Sequence, residues 1–200
     1  MKQLLLFSLT LFLSAILNAE QKAVTLSGLP IILHSDGTWS YESGKRPDFR
    51  GAYWGDSRET VLAIEDDGPV RDNDTLLGFE DKIAGMDVLA VYVFEDNSLS
   101  NAFYSFEEKY VNSDKYIDAY QKFKGIFVEE YGAPYSDDVI SDNEEFKNNP
   151  KFWGLALTVG EIQLSAQWKL NNTDIMIMLH QDDDEVVLGV FYFDKESPEK

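Results

Sequence analysis

Between Tyr116 and Tyr131 aromatic residues recur at spacings of four, three, four and four: Tyr116, Tyr120, Phe123, Phe127 and Tyr131. That spacing puts five rings on one face of an α-helix. Ser113 at the start, acidic Asp114 and Asp118 in the first turns, and Gly132 followed by Pro134 bound the helix on both sides. Asp118 stands four residues before Lys122, the order that favours a weak helical ion pair. Strand-like sequence flanks the helix. The stripe therefore reads as the face of a helix laid on a sheet rather than the wall of a ligand cleft.

Elsewhere the period drops to two. Lys22 to Glu42 reads as a small β-meander, with Ser27-Gly28 and Asp36-Gly37 as its turns. Ser43 to Pro47 has linker composition, with Lys45-Arg46 as a solvated basic pair. Asp56 or Ser57 can cap a short helix over 58–64, Asp56 and Glu59 resemble a capping box, and Val61 with Ile64 supplies an apolar edge. Residues 65–75 form an acidic turn. Strands follow at 76–80, 85–95 and 98–107, with Asp96-Asn97 as a turn. In 86–96 both alternating faces are apolar in the middle, which predicts a central strand covered on both sides. After the long helix, 135–150 reads as a polar loop, and strands are expected at 155–159, 162–170, 174–180 and 186–193. Ile162, Leu164, Ala166, Trp168 and Leu170 point inward. The expected fold class is α+β: two helices packed on antiparallel β-meanders in the order helix, meander, helix, meander, after a small N-terminal β-meander.

Residues 1–19 have a basic start at Lys2, an apolar run from Leu4 to Leu17 and Ala19 at a cut site, which reads as a secretory signal. The expected division is 1–19 signal peptide, 20–46 N-terminal meander and linker, 47–195 α+β domain and 196–200 disordered tail. With no second spanning run, no stable membrane insertion is expected after cleavage. The sequence has no cysteine, so disulfides, thiol catalysis and cysteine zinc sites are excluded. Export without disulfides fits a bacterial periplasm or a secreted bacterial protein. The formal net charge is −19, and losing Lys2 with the signal leaves 16 basic against 36 acidic residues, a balance of −20. Such a surface repels nucleic acid and anionic headgroups and favours basic partners or cations.

Candidate chemistry is sparse. His34 and His180, the two histidines, lie in distant elements, so a zinc site is not expected. Calcium takes oxygen ligands, which makes the acidic turns the candidate metal sites: Asp72 and Asp74, and Asp182, Asp183 and Asp184. Asp72 and Asp74 begin like an EF-hand loop, but Leu76 and Ile83 occupy positions that need oxygen donors. No cofactor other than calcium is expected. There is no Gly-x-Ser-x-Gly elbow and no phosphate-cradling glycine cluster. Asp137, Asp138, Asp142, Glu144 and Glu145, in the long polar stretch after the helix, are the candidate binding residues. Trp54, Trp153 and Trp168 read as core.

The segments WGDSRETV, KIAGMDVLAVYVFEDNSLSNAFYSF, YIDAYQKFKGIFVEEYGAP and FWGLALTVGEIQLSAQWKLNNTDIMIML together resemble a family of uncharacterised exported bacterial proteins. Its members carry a Trp-Gly-x-Ser helix start and a helix ending in Tyr-Gly-x-Pro. The chain departs from that pattern at Asp56 and Glu130, where an apolar residue and a lysine are usual. At the level of fold alone the helix and meander doubling resembles the β-lactamase-inhibitor-protein fold and small outer-membrane assembly lipoproteins, which implies two related halves. The functional expectation is a soluble exported protein that binds an envelope or secreted protein without catalysis, through acidic loops and strand edges. The alternatives are a carboxylate-dependent glycan hydrolase and a calcium-dependent structural module.

Overall fold

The computed structural model describes residues 21–24, 30–42 and 44–195. The expected signal at 1–19, the Ser27-Gly28 turn and the tail at 196–200 lie outside the described residues. In chain order the elements are β1 (Gln21–Val24), β2 (Pro30–Leu33) and β3 (Trp39–Tyr41), then α1 (Arg58–Ile64), β4 (Arg71–Asn73), β5 (Leu76–Ile83), β6 (Met86–Glu95) and β7 (Ser98–Phe106). The second half holds α2 (Asp114–Tyr131), β8 (Ser136–Ile140), α3 (Glu144–Asn148), a 3-10 turn (Pro150–Phe152), α4 (Trp153–Thr158), β9 (Gln163–Lys169), β10 (Thr173–Asp182) and β11 (Glu185–Asp194).

The first three strands form the expected meander. The remaining eight form one antiparallel sheet in the order β4-β5-β6-β7-β11-β10-β9-β8. Each half is therefore a helix followed by a four-stranded meander, and the two meet where β7 pairs with β11. Three hairpins in this sheet are closed by two-residue turns with both central residues left-handed: Ala84-Gly85 (φ 53° and 81°), Asp96-Asn97 (50° and 62°) and Asp183-Asp184 (46° and 64°). That backbone twist matches the twist of paired strands, so each turn fixes its register.

Helices cover one face of the sheet. On α2, Tyr116, Tyr120, Phe123 and Phe127 are buried as the spacing predicts. Phe123 meets Phe106 of β7, with ring centroids 6.1 Å apart, and Phe127 meets Trp168 of β9 at 5.7 Å and Tyr192 of β11 at 6.3 Å. The helix ends at Gly132, whose φ of 83° suits glycine and whose carbonyl accepts a 2.8 Å hydrogen bond from Trp168 Nε1. At its start the Asn112 side chain, not that of Ser113, accepts from the Asp114 amide at 3.0 Å. Lys122 bonds the Ala84 carbonyl at 2.7 Å rather than Asp118. Over the first half, α1 buries Val61 completely, while Ile64 is 36% exposed, so the expected apolar edge is a single residue. Ser57 is its cap, accepting from the Thr60 amide at 3.3 Å; Asp56 instead accepts from the Tyr53 amide at 2.7 Å, so no Asp56–Glu59 box forms.

Other expectations need correction. Strand β6 is buried on both sides in its middle, with Val91 3% exposed, but helices lie on only one of its faces. The acidic turn at 65–75 contains edge strand β4, and the polar stretch at 135–150 contains β8 and α3. Of residues 155–159, read as a strand, 155–158 belong to α4 and Val159 follows as its C-cap, so the described residues hold four α-helices where two were expected. A run of that length does not distinguish the two periods, and Leu155 and Val159 stay exposed while Ala156 and Leu157 enter the core. The Lys45-Arg46 pair is no solvated linker: Arg46 reaches Glu130 of α2 at 3.2 Å and lies over the Tyr131 ring.

The segment 141–162 has no counterpart between β4 and β5, which are joined by a turn at Asp74 and Thr75. It brings α4 against the start of α2, where a Cβ on Gly154 would stand 3.0 Å from the Asp114 amide nitrogen and 2.1 Å from its carboxylate. Gly154→Ala is accordingly expected to cost about 1–3 kcal/mol through overpacking, measured as a lower urea midpoint.

Candidate functional site: the helix-free face of the sheet

Strand alternation sends Leu77, Phe79, Tyr92, Tyr104, Val190, Ile177 and Leu164 toward the helices. The residues between them line the opposite face. Register sets Val91 beside Phe103, Phe103 beside Phe191 and Phe191 beside Met176, an apolar row crossing four strands. Phe103 and Phe191 have ring centroids 5.8 Å apart, and Phe191 stacks on Phe193 at 6.3 Å with planes 16° apart. Gly189 makes room for this ladder, because the Phe191 ring lies 2.8 Å from where a Cβ at Gly189 would stand. Leu89, Val93 and Met178 extend the patch. Val91 is buried at 3% exposed, the other side chains of the patch are half-buried, and Phe193 is 38% exposed.

Toward β8 the face turns polar. Ser165 lies opposite Met178 on one side and Asp138 on the other. It is 2% exposed, and its Oγ has no hydrogen-bond partner. His180, two residues beyond Met178 on the same face, has a buried Nδ1 that is also unpartnered. Because neither atom is bonded, the serine and histidine do not form a nucleophile and base pair here. His180 also lines a cleft of about 410 Å3 with Asp142, Glu161, Gln163 and Gln181.

The structure spreads the expected binding residues around this corner. Asp138 faces outward beside Ser165 and accepts from the Ser136 hydroxyl. Asp142 borders the cleft. Asp137 faces the helices and pairs with Lys124 of α2 at 2.9 Å. Glu144 and Glu145 occupy the first turn of α3, where Asn143 accepts from the Glu145 amide at 3.0 Å, so they complement a helix start. Of the candidate metal residues, Asp72 pairs with Arg58 and Asp74 occupies the β4–β5 turn. Asp183 and Asp184 are the central residues of the β10–β11 turn, flanked by Asp182 and Glu185, and Glu185 pairs with Lys109 at 2.6 Å. No group of three or more metal-ligating side chains occurs among the described residues.

Two polar sites elsewhere satisfy their own groups. A cleft of about 590 Å3 lined by Lys45, Tyr53, Trp54 and Glu95 has a bonded floor. There Trp54 Nε1 donates to Thr173 Oγ1 at 2.9 Å, and Thr173 donates to Asp48 at 2.9 Å. Under the helices, Arg50 makes two 2.7 Å bonds to Glu65 and one to Asp81, and the Tyr92 hydroxyl donates to Glu65. Burial disfavours the charged form of Arg50, but the Glu65 bonds outweigh it and raise its pKa. Burial pushes the Tyr104 hydroxyl up to about 12, against the lowering pull of Arg50, and burial also raises Tyr92 and Tyr192. The acidic turn at 65–75 gave no sign that Glu65 is a core residue.

Comparison with known proteins found no matching family model, no matching curated protein and no matching solved structure.

Removing Arg50 leaves Glu65 buried without its counter-charge. Arg50→Ala is expected to cost about 3–5 kcal/mol in urea unfolding, and Arg50→Met with Glu65→Leu to recover much of that loss. The tyrosines give a pH signature. Unfolded phenols ionise near pH 10.0 while Tyr104 holds its proton to about 12, so the unfolded chain binds fewer protons in that window and stability falls as pH rises through it. Melting temperature should drop between these pH values, with phenolate absorbance lagging that of the urea-unfolded chain.

Proposed function

We propose that this chain is an exported, non-catalytic protein-binding module that takes its partner on the helix-free face of the eight-stranded sheet. The observation that carries the reading is the row Val91, Phe103, Phe191 and Met176. It is an apolar, aromatic strip across four strands that no described helix covers. A contiguous apolar patch with a polar rim is what a protein interface presents, and phenylalanine and methionine are enriched in the centre of such patches. Acidic residues from the candidate set, Asp138 and Asp142, stand at its rim. Export rests on residues 1–19, and the partner is accordingly an envelope or secreted protein. No helix among the described residues is long and apolar enough to cross a membrane. Nucleic acid is disfavoured by the net charge of −19.

Affinity capture of envelope proteins by the chain from residue 20 onward, compared with Phe191→Asp, tests this reading. A stoichiometric partner held by the parent chain and lost by Phe191→Asp, with the variant's melting temperature checked alongside, is the expected outcome. The same partner on both chains would remove the face from the reading. No partner at low or moderate salt would remove the binding module.

A further inference from the structure

A buried hydroxyl that bonds nothing is a cost to the free protein, because alanine at the same place would lose no hydrogen bond. Ser165 is such a group. It is 2% exposed, unpartnered, and placed by strand alternation on the helix-free face. His180 repeats the pattern two residues along the neighbouring strand from the residue opposite Ser165. Carboxylates frame the corner: Asp138 lies directly across from Ser165, and Asp142 shares the cleft with His180. Among the described residues neither carboxylate forms an ion pair, whereas the inward-facing neighbour Asp137 is neutralised by Lys124. The corner thus combines acceptor capacity with uncompensated negative charge, next to an apolar ladder that can seat an anchor.

We propose that Ser165 and His180 determine which protein the face accepts, and that the occupant is a cationic protein. It sets an apolar side chain on Phe103 and Phe191 and presents a lysine or arginine to the corner. Charge complementarity selects this occupant. A second copy would bring another chain of formal charge −19 against the same face, and an acidic partner would meet Asp138 and Asp142. This inference rests on the reading of the face as a protein-binding surface. Ser165 Oγ is closed to solvent in the free chain, so the partner's donor reaches it through a side-chain shift on binding, and the residue is expected to trade stability for recognition.

The test is selection of short random peptides on the purified full chain, with Phe191→Asp, Ser165→Ala and His180→Leu as comparison variants and sedimentation of the parent chain alongside. The expected result is a set of peptides rich in lysine and arginine around an aromatic or aliphatic residue, bound by the parent and not by Phe191→Asp. Ser165→Ala should bind them roughly tenfold more weakly while melting a few degrees higher, and His180→Leu should also weaken them. Peptides that need Phe191 but are neutral or acidic, or that ignore both corner variants, would overturn this inference and leave the face reading standing. Peptides that bind Phe191→Asp as well as the parent chain would overturn both. A dimer of the parent chain that Phe191→Asp dissociates would identify a second copy as the occupant and overturn the cationic partner.

Discussion

Everything in the eight-stranded sheet depends on the pairing of β7 with β11. The ladder runs from Ser105 beside Gly189 to Asn101 beside Phe193, and it joins two helix and meander halves that are otherwise separate in sequence. On the helix side the seam is filled by Phe49, Tyr104 and Tyr192, whose ring centroids lie 4.9 to 6.1 Å apart. On the other side the same ladder creates the Phe103 and Phe191 pair. Breaking the seam would cut the aromatic row in two and leave each half with a long apolar strand as an open edge.

The regular parts of this fold were legible because their signals are local. The α2 stripe, the Asp96-Asn97 turn and the alternation from Ile162 to Trp168 each fix an element within a few residues of chain. What sequence hid was set by partners far away. Two aspartates disfavour a strand at 136–140, yet β9 supplies a ladder along its whole length and makes one. The residues 155–159 look like strand until the approach of α2 at Gly154 holds 155–158 as helix. Glu65 looks like one more acidic loop residue, and only the fold brings Arg50, Asp81 and Tyr92 around it. For the candidate site the sequence held half of the information. The apolar residues on both alternations of β6 were visible, and they predicted the burial on both sides that Val91 and Tyr92 show, but not that only one side carries helices. That second apolar set was the signal of the helix-free face. The corner at Ser165 and His180 was not readable, since it requires the register of three strands.

Charge is used differently on the two sides of the sheet. Beneath the helices Arg50 is answered by Glu65 and Asp81, and one carboxylate oxygen of Glu130 by Arg46. Glu130 and Asp56 both have local work here, one holding the segment at Arg46 and the other a turn. On the helix-free side Asp87 pairs with Lys82 and Asp174 with Lys195, whereas Asp138 and Asp142 at the Ser165 corner form no ion pair among the described residues, so that corner is where negative charge is left for solvent or a partner to meet.

An open sheet of eight strands has two ends, and their form limits what this molecule can build. Strand β4 is three residues long with Asp72 at its centre, and β8 is five residues long and carries Asp137 and Asp138. Short, acidic edges are poor templates for a further strand. The sheet can therefore leave a broad apolar face open without growing sideways into a fibre, and the molecule stays finite at concentrations where a longer, uncharged edge would recruit its neighbours.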